Sequence, residues 1–395
     1  MERNMDSRDT EAGSNWLAST VCVGLGAIYT AYYLRYVVQK PVLACGNPKL
    51  KSFLTTHIPL LSHSYWPTFW AFDTHLQTVV HSLFQYFTPK HNYRSEKLST
   101  PDGGEIMLHW EDSGARDRRT TPIVIILPGL TGDSHSIYVK HMVDDIMKVG
   151  FRPVVFNQRG FGGAELKTPR TFCAGRTDDI HFVLSHIHQS YPEAKLLAAG
   201  ASIGGIMLLN YLAEYGSDCV PLSGAMMVSV AWDLVESCKS LEQPVNSFLY
   251  NRTLTSMLIR LVKTKGVAFR EHYDINSVSK SRTLREFDSQ LTVKLFGYRD
   301  VQHYYTSSSP KGKLGKILVP TLCLNAADDA FSPLYTIPLE EAKQSKNVAI
   351  VVTARGGHVG FMEGFLPHGG KTYMSKLFSQ YVTAIFKEGQ ELLAH

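Results

Sequence analysis

An α/β fold on a mostly parallel, doubly wound sheet, with a helical cap inserted late in the chain, is what this sequence predicts. Three observations predict it. Short, wholly apolar segments alternate with segments of helical periodicity. A serine flanked by glycines separates one such strand from the helix that follows it. Between Leu234 and Gly315 the alternation breaks into polar, helical segments, a stretch too long for a loop.

Composition permits a core of that size. The chain has 395 residues, 44% hydrophobic and 19% charged, and its net charge of +5 gives no case for nucleic acid. Six cysteines (Cys22, Cys45, Cys173, Cys219, Cys238, Cys323) lie scattered, with no CxxC pair and no Cys/His ligand spacing. Neither a disulfide framework nor a metal site is indicated. A lone sequon, Asn251-Arg252-Thr253, says little about compartment.

In chain order, residues 1–15 form a flank that is acidic on balance. Residues 16–34, "WLASTVCVGLGAIYTAYYL", pass without a charge, long enough for a transmembrane anchor with interfacial aromatics at both ends. The acidic flank argues against a cleaved signal peptide, which has a basic start; a buried globular helix is the other alternative. Arg35, Lys40, Lys49 and Lys51 after the span, against Arg3 and Arg8 before it, mildly favour a cytoplasmic catalytic side. Residues 35–92 are too aromatic for a flexible linker and are expected to pack on the main domain or on the membrane.

The core then divides into a first part, 93–233, and a second part, 316–395, around the cap at 234–315. "EKLSTPDGGEIMLHWED" reads as two strands around a turn. "TPIVIILPG", "RPVVFNQRG", "AKLLAAG", "AMMVSVAW", "ILVPTLCLNA" and "NVAIVVTA" read as buried strands. "YVKHMVDDIMKVG", "TDDIHFVLSHIHQSYP" and the terminal "TYMSKLFSQYVTAIFKEG" read as helices.

The chemistry centres on Gly200-Ala201-Ser202-Ile203-Gly204, which fits G-x-S-x-G between a strand and a helix, the context of a nucleophile elbow. Glycines at Gly200 and Gly204 leave room for a tight turn, and the new helix offers N–H donors and its positive dipole end. The rival reading is an ordinary glycine-rich turn. An acid and a histidine should follow, each after a strand. Asp328-Asp329 follows "TLCLNA"; Asp329, four residues before Pro333, is preferred, with Asp328 a turn residue and Asp233 a weaker rival. His358 lies on a loop among Gly356, Gly357 and Gly360. The imidazole takes the serine's proton and returns it to the leaving alcohol, with the carboxylate fixing its tautomer. The oxyanion donors are the N–H groups of Ile203 and of Leu130 in "LPGLTG", where Gly129 lets the backbone approach and Gly132 eases the turn.

With "YWPTFW", "TPDGG", "ILPGLTG", "VVFNQRG", "GASIGG", "DDAFSP" and "GGHVGFMEG" in this order, the chain resembles the α/β-hydrolase superfamily. Within it, the sequence is similar to the membrane-anchored α/β-hydrolase domain-containing lipases and phospholipases, most of all proteins one and three of that series. The resemblance covers nearly the whole chain. It implies an α/β-hydrolase fold, Ser202, Asp329 and His358 as the triad, hydrolysis of phospholipids, monoacylglycerols or simple esters, and a single-pass signal anchor of type II; the chemistry read from the residues calls on no metal or organic cofactor. A type II anchor opposes the loop-charge count, so the side stays open. Pro128-Gly129 stands where many hydrolases have His-Gly, which keeps the backbone donor and removes a histidine side chain.

Within the cap, thirteen Lys/Arg stand against seven Asp/Glu. "LTSMLIRLVKTKGVAFR", with Arg260, Lys263, Lys265 and Arg270, reads either as a surface for anionic headgroups or as a solvated helical face. The function expected is a membrane-anchored serine hydrolase of acyl glycerolipids acting through an acyl-enzyme. An acyltransferase using the same intermediate, and a non-catalytic scaffold of the same fold, are the alternatives.

Overall fold

The computed structural model describes residues 6–83, 88–112, 117–365 and 372–393. Nine strands form one sheet: β1 (Val42–Ala44), β2 (Arg94–Ser99), β3 (Glu105–Trp110), β4 (Ile123–Leu127), β5 (Arg152–Asn157), β6 (Leu196–Ala201), β7 (Gly224–Val228), β8 (Thr321–Ala326) and β9 (Val348–Thr353). Their order is β1-β9-β8-β7-β6-β4-β5-β3-β2. The run from β5 through β9 is parallel, β2, β3 and β5 pair antiparallel, and β1 closes the far edge antiparallel to β9.

Both faces of the sheet are covered, which is why its central strands read as unbroken apolar runs. In β4, Ile123, Ile125 and Leu127 face one core, with α5 (Asp178–Ser190) and α6 (Ile203–Tyr215). Val124 and Ile126 face the other, with α2 (Pro48–His57), α4 (Ile137–Lys148) and α10 (Tyr373–Glu388). The alternation is the period of two that a pleated strand imposes. Between β7 and β8 the chain is helical, including α7 (Leu234–Leu241), α8 (Arg252–Lys265) and α9 (Val301–Ser308). Leu258, Leu261 and Val262 of α8 pack with Phe269 and Phe287 in a small core of their own. Asn251, the sequon residue, is fully buried and accepts from the Leu284 N–H at 2.8 Å, so it ties the helical block together.

The expectation of a membrane-crossing helix over 16–34 is corrected here. Among the described residues no helix is long and apolar enough to cross a membrane. α1 (Asp6–Tyr32) runs through most of that stretch, but its first turns carry Asp6, Arg8, Asp9 and Glu11, and its regular winding ends at Tyr32. The end of the charge-free run is used for docking: Tyr33 and Val37 are buried in a π-turn. Tyr29 Oη donates to the Phe69 carbonyl at 2.6 Å, and Tyr33 Oη to that of Pro67 at 2.5 Å. The aromatic segment packs on the main domain, where Tyr65 Oη donates to the Met362 carbonyl at 3.0 Å, and it supplies β1, α2 and α3 (Thr74–Leu83). Val21, Val23, Leu25 and Ile28 of α1 remain exposed.

Candidate active site

The carboxyl ends of the parallel strands bring the expected residues to one edge of the sheet, where open α/β sheets place their sites. Ser202 follows β6 at φ 53° and ψ −124°, a backbone conformation strained for any residue but glycine. Its N–H donates to the Val228 carbonyl at 2.9 Å, and α6 begins at the next residue. The flanking glycines are sterically required. A Cβ on Gly204 would stand 2.3 Å from the Leu127 oxygen, and one on Gly200 2.6 Å from the Gly204 oxygen. A side chain at Gly204 would push the serine turn away from β4 and its loop, and one at Gly200 would push the first turn of α6 off β6.

Asp329 follows β8 and His358 follows β9. His358 Nε2 lies 2.9 Å from Ser202 Oγ. Its Nδ1 lies 2.9 Å from Asp329 Oδ2 and 3.1 Å from Oδ1. A carboxylate only accepts, so Nδ1 carries the proton and Nε2 turns its lone pair to the serine hydroxyl. Asp329 is buried, and its Oδ1 also accepts the Phe331 N–H at 2.8 Å. The other two aspartates do different work. Asp328 points away from the imidazole: its Oδ1 accepts the Gly357 N–H at 3.0 Å, and Arg355 Nη1 stands 3.9 Å from Oδ2. Burial, helped by the neighbouring Asp329, pushes it up to about 7. Asp233 caps α7, accepting from the Val235 and Glu236 N–H groups.

Leu130 and Ile203 both line the cavity beside Ser202. Ile203 is the first residue of α6, where an N–H has no intrahelical acceptor. The loop bearing Leu130 is set by Tyr138, whose Oη accepts the Gly129 N–H at 2.6 Å, and by the Gly132 N–H, which donates to the Gly129 carbonyl. The cavity encloses about 980 Å³ of space not filled by protein atoms, part of it open to solvent. Its walls are mostly apolar, with Leu258, Leu261 and Val262 from α8 and Ile206 from α6. A polar cluster interrupts them: Asp288 accepts from Thr292 Oγ1 at 2.6 Å and Tyr305 Oη at 2.8 Å, and burial pushes it up to about 6.

Several residues at the site carry no local signal in the sequence. Phe331 stacks on the His358 ring, centroids 3.9 Å apart. The loop carrying Phe331 is gripped by α7, through Ser237 Oγ to the Phe331 carbonyl at 2.5 Å and Ser240 Oγ to that of Ala330 at 2.6 Å. Tyr138 had no signal beyond its place after the loop that bears Leu130. Lys265, read from sequence as part of a basic surface, donates to the Gly160 carbonyl at 2.8 Å and so is committed to the protein's own backbone.

A family model described as alpha/beta hydrolase fold matches residues 122–365. The chain is 43% identical to mouse phospholipase ABHD3 over 94% of its own length and 91% of that protein's. The human phospholipase ABHD3 is 41% identical over the same shares. A monoacylglycerol lipase of Saccharomyces cerevisiae is 33% identical over 61% of this chain and 55% of that one. The chain belongs to the α/β-hydrolase fold family. It is a serine ester hydrolase.

Proposed function

We propose that this enzyme hydrolyses carboxylic ester bonds of acyl glycerolipids, as a phospholipase or monoacylglycerol lipase, through an acyl-enzyme on Ser202. The observation that carries the reading is the 2.9 Å approach of His358 Nε2 to Ser202 Oγ at a mostly apolar cavity. An acyl chain lies along that cavity with its ester carbonyl at Ser202. His358 takes the hydroxyl proton as Oγ attacks, and Asp329 steadies the imidazolium. The Ile203 and Leu130 N–H groups receive the charge developing on the carbonyl oxygen. The imidazolium then protonates the leaving alcohol, and a water, activated by the same histidine, releases the fatty acid. No step calls on a metal or an organic cofactor. The names of the phospholipase and monoacylglycerol lipase relatives support the substrate class.

In this reading the exposed apolar residues of α1, with exposed Trp66, Trp70 and Phe365, hold the enzyme at a bilayer. Untargeted lipid profiling of cells expressing the chain or its Ser202→Ala form tests the assignment. The expected result is depletion of a group of glycerolipids, with their lyso- or deacylated products accumulating, only with the active form. Matching profiles would overturn it.

A further inference from the structure

The loop that carries His358 is braced from two sides. On the sheet side, Ser229 Oγ accepts the Val359 N–H at 2.9 Å. On the other side stands α3, which lies far earlier in the chain. Thr78 Oγ1 accepts the N–H of His358 itself at 2.9 Å and donates to the Thr74 carbonyl at 2.8 Å. Gln77, fully buried, accepts the Met362 N–H through Oε1 at 2.7 Å, and its Nε2 donates to the Ala71 carbonyl at 2.6 Å. The fit is close: a Cβ on Gly357 (φ +57°) would stand 2.5 Å from the Thr74 oxygen and 2.6 Å from Thr78 Oγ1.

This loop needs bracing. Val359 (φ 62°) and Phe361 (φ 46°) both hold left-handed backbone without being glycine. Such conformations persist only where the surroundings impose them. The bonds from Thr78 and Gln77 fall on His358 and Met362, flanking both strained residues.

We infer that Thr78 and Gln77 are positioning residues for the hydrolysis, so that the amino-terminal segment completes the active site rather than merely tethering it. The inference rests on the reading of Ser202 and His358 as nucleophile and base. α3 fixes the main chain on both sides of the strained turn, and the imidazole thereby meets Ser202 Oγ and Asp329 together. The brace is also continuous with α1, through the Thr68 N–H to the Met362 carbonyl at 3.0 Å and the Tyr29 and Tyr33 bonds to Phe69 and Pro67.

The test uses the full chain with Thr78→Val, Thr78→Ser and Gln77→Leu. It reads kcat and KM on the soluble ester p-nitrophenyl butyrate, the rate of fluorophosphonate labelling, and Tm. Valine keeps the shape and removes the acceptor, so kcat should fall about tenfold or more with KM unchanged, as for a small misplacement of a reacting group. Labelling should slow in parallel while Tm barely moves. Serine restores the acceptor and should restore kcat. Gln77→Leu should lower kcat in the same way. Wild-type kcat in Thr78→Val would overturn the inference, and so would a loss that tracks Tm or that serine fails to rescue. Failure of the underlying reading shows separately, as labelling that survives Ser202→Ala.

Discussion

Replacing Asp329 by asparagine changes one atom and, on this geometry, inverts the histidine's hydrogen bonding. Both carboxylate oxygens lie within 3.1 Å of His358 Nδ1, so whichever way the amide turns, its NH2 stands close to that nitrogen. The Phe331 N–H, which donates to Oδ1, holds the amide oxygen on its own side and leaves the NH2 facing Nδ1. The amide then donates to Nδ1, the proton moves to Nε2, and the lone pair aimed at Ser202 Oγ across 2.9 Å is lost. Loss of the correct tautomer costs roughly 10⁴ in kcat, equal to about 5.5 kcal/mol of barrier. Asp328→Asn is the comparison. Its Oδ1 accepts from the Gly357 N–H, a bond that an amide oxygen still makes, and it touches neither the ring nor the serine. Its kcat should fall by less than about tenfold, the scale of one retained hydrogen bond adjusting its geometry. The assay is steady-state kcat on p-nitrophenyl butyrate with the rate of fluorophosphonate labelling as a second reading. Equal losses in the two variants, or a larger loss in Asp328→Asn, would refute the assignment of Asp329 as the imidazole's partner.

Other expectations follow from the same contacts. Burial raises Asp328 to about 7 from an ordinary 3.8, so the folded state binds the extra proton between those values and the fold weakens as pH rises from about 4 to 7, with no further loss above that. Asp328→Asn should therefore gain Tm over the wild type from about pH 4 to pH 7 and hold the gain above it; a pH-independent difference would speak against the burial. Gly204→Ala forces its new methyl against the Leu127 and Pro128 carbonyls and should lower kcat by about 10²-fold through the oxyanion loop, measured on the same ester. Leu261→Trp partly fills the cavity and should reduce kcat/KM for long-chain p-nitrophenyl esters while sparing the acetate. Leu25→Asp with Ile28→Asp should weaken flotation with phosphatidylcholine vesicles, and undiminished flotation would remove α1 from the membrane contact.

The fold was legible where local pattern and burial coincide. Strands such as Ile123–Leu127 and Val348–Thr353 are covered on both faces, so each appears as an apolar run whatever its neighbours. The serine turn was legible because Gly200 and Gly204 are demanded by backbone a few residues away or on the adjacent strand. β1 was not, since three residues become a strand only by pairing with β9, some 300 positions later in the chain. Thr78 lies 280 residues from His358 and sits in a helix whose sequence shows no motif. The charge-free run 16–34 resembled a membrane span because absence of charge is not the same as apolarity: among the described residues the helix through it is not apolar enough to cross, and Tyr29 and Tyr33 at its end are held by backbone carbonyls of the aromatic segment. Asp233 competed as the acid because a helix cap and a catalytic carboxylate both follow a strand end.

Mapping the adduct of a fluorophosphonate probe by peptide mass spectrometry, on the full chain and on Ser202→Ala, tests the central claim most directly. A single adduct on Ser202 that vanishes in the alanine form is the expected result. An adduct on another residue, or labelling that persists without the Ser202 hydroxyl, would contradict it.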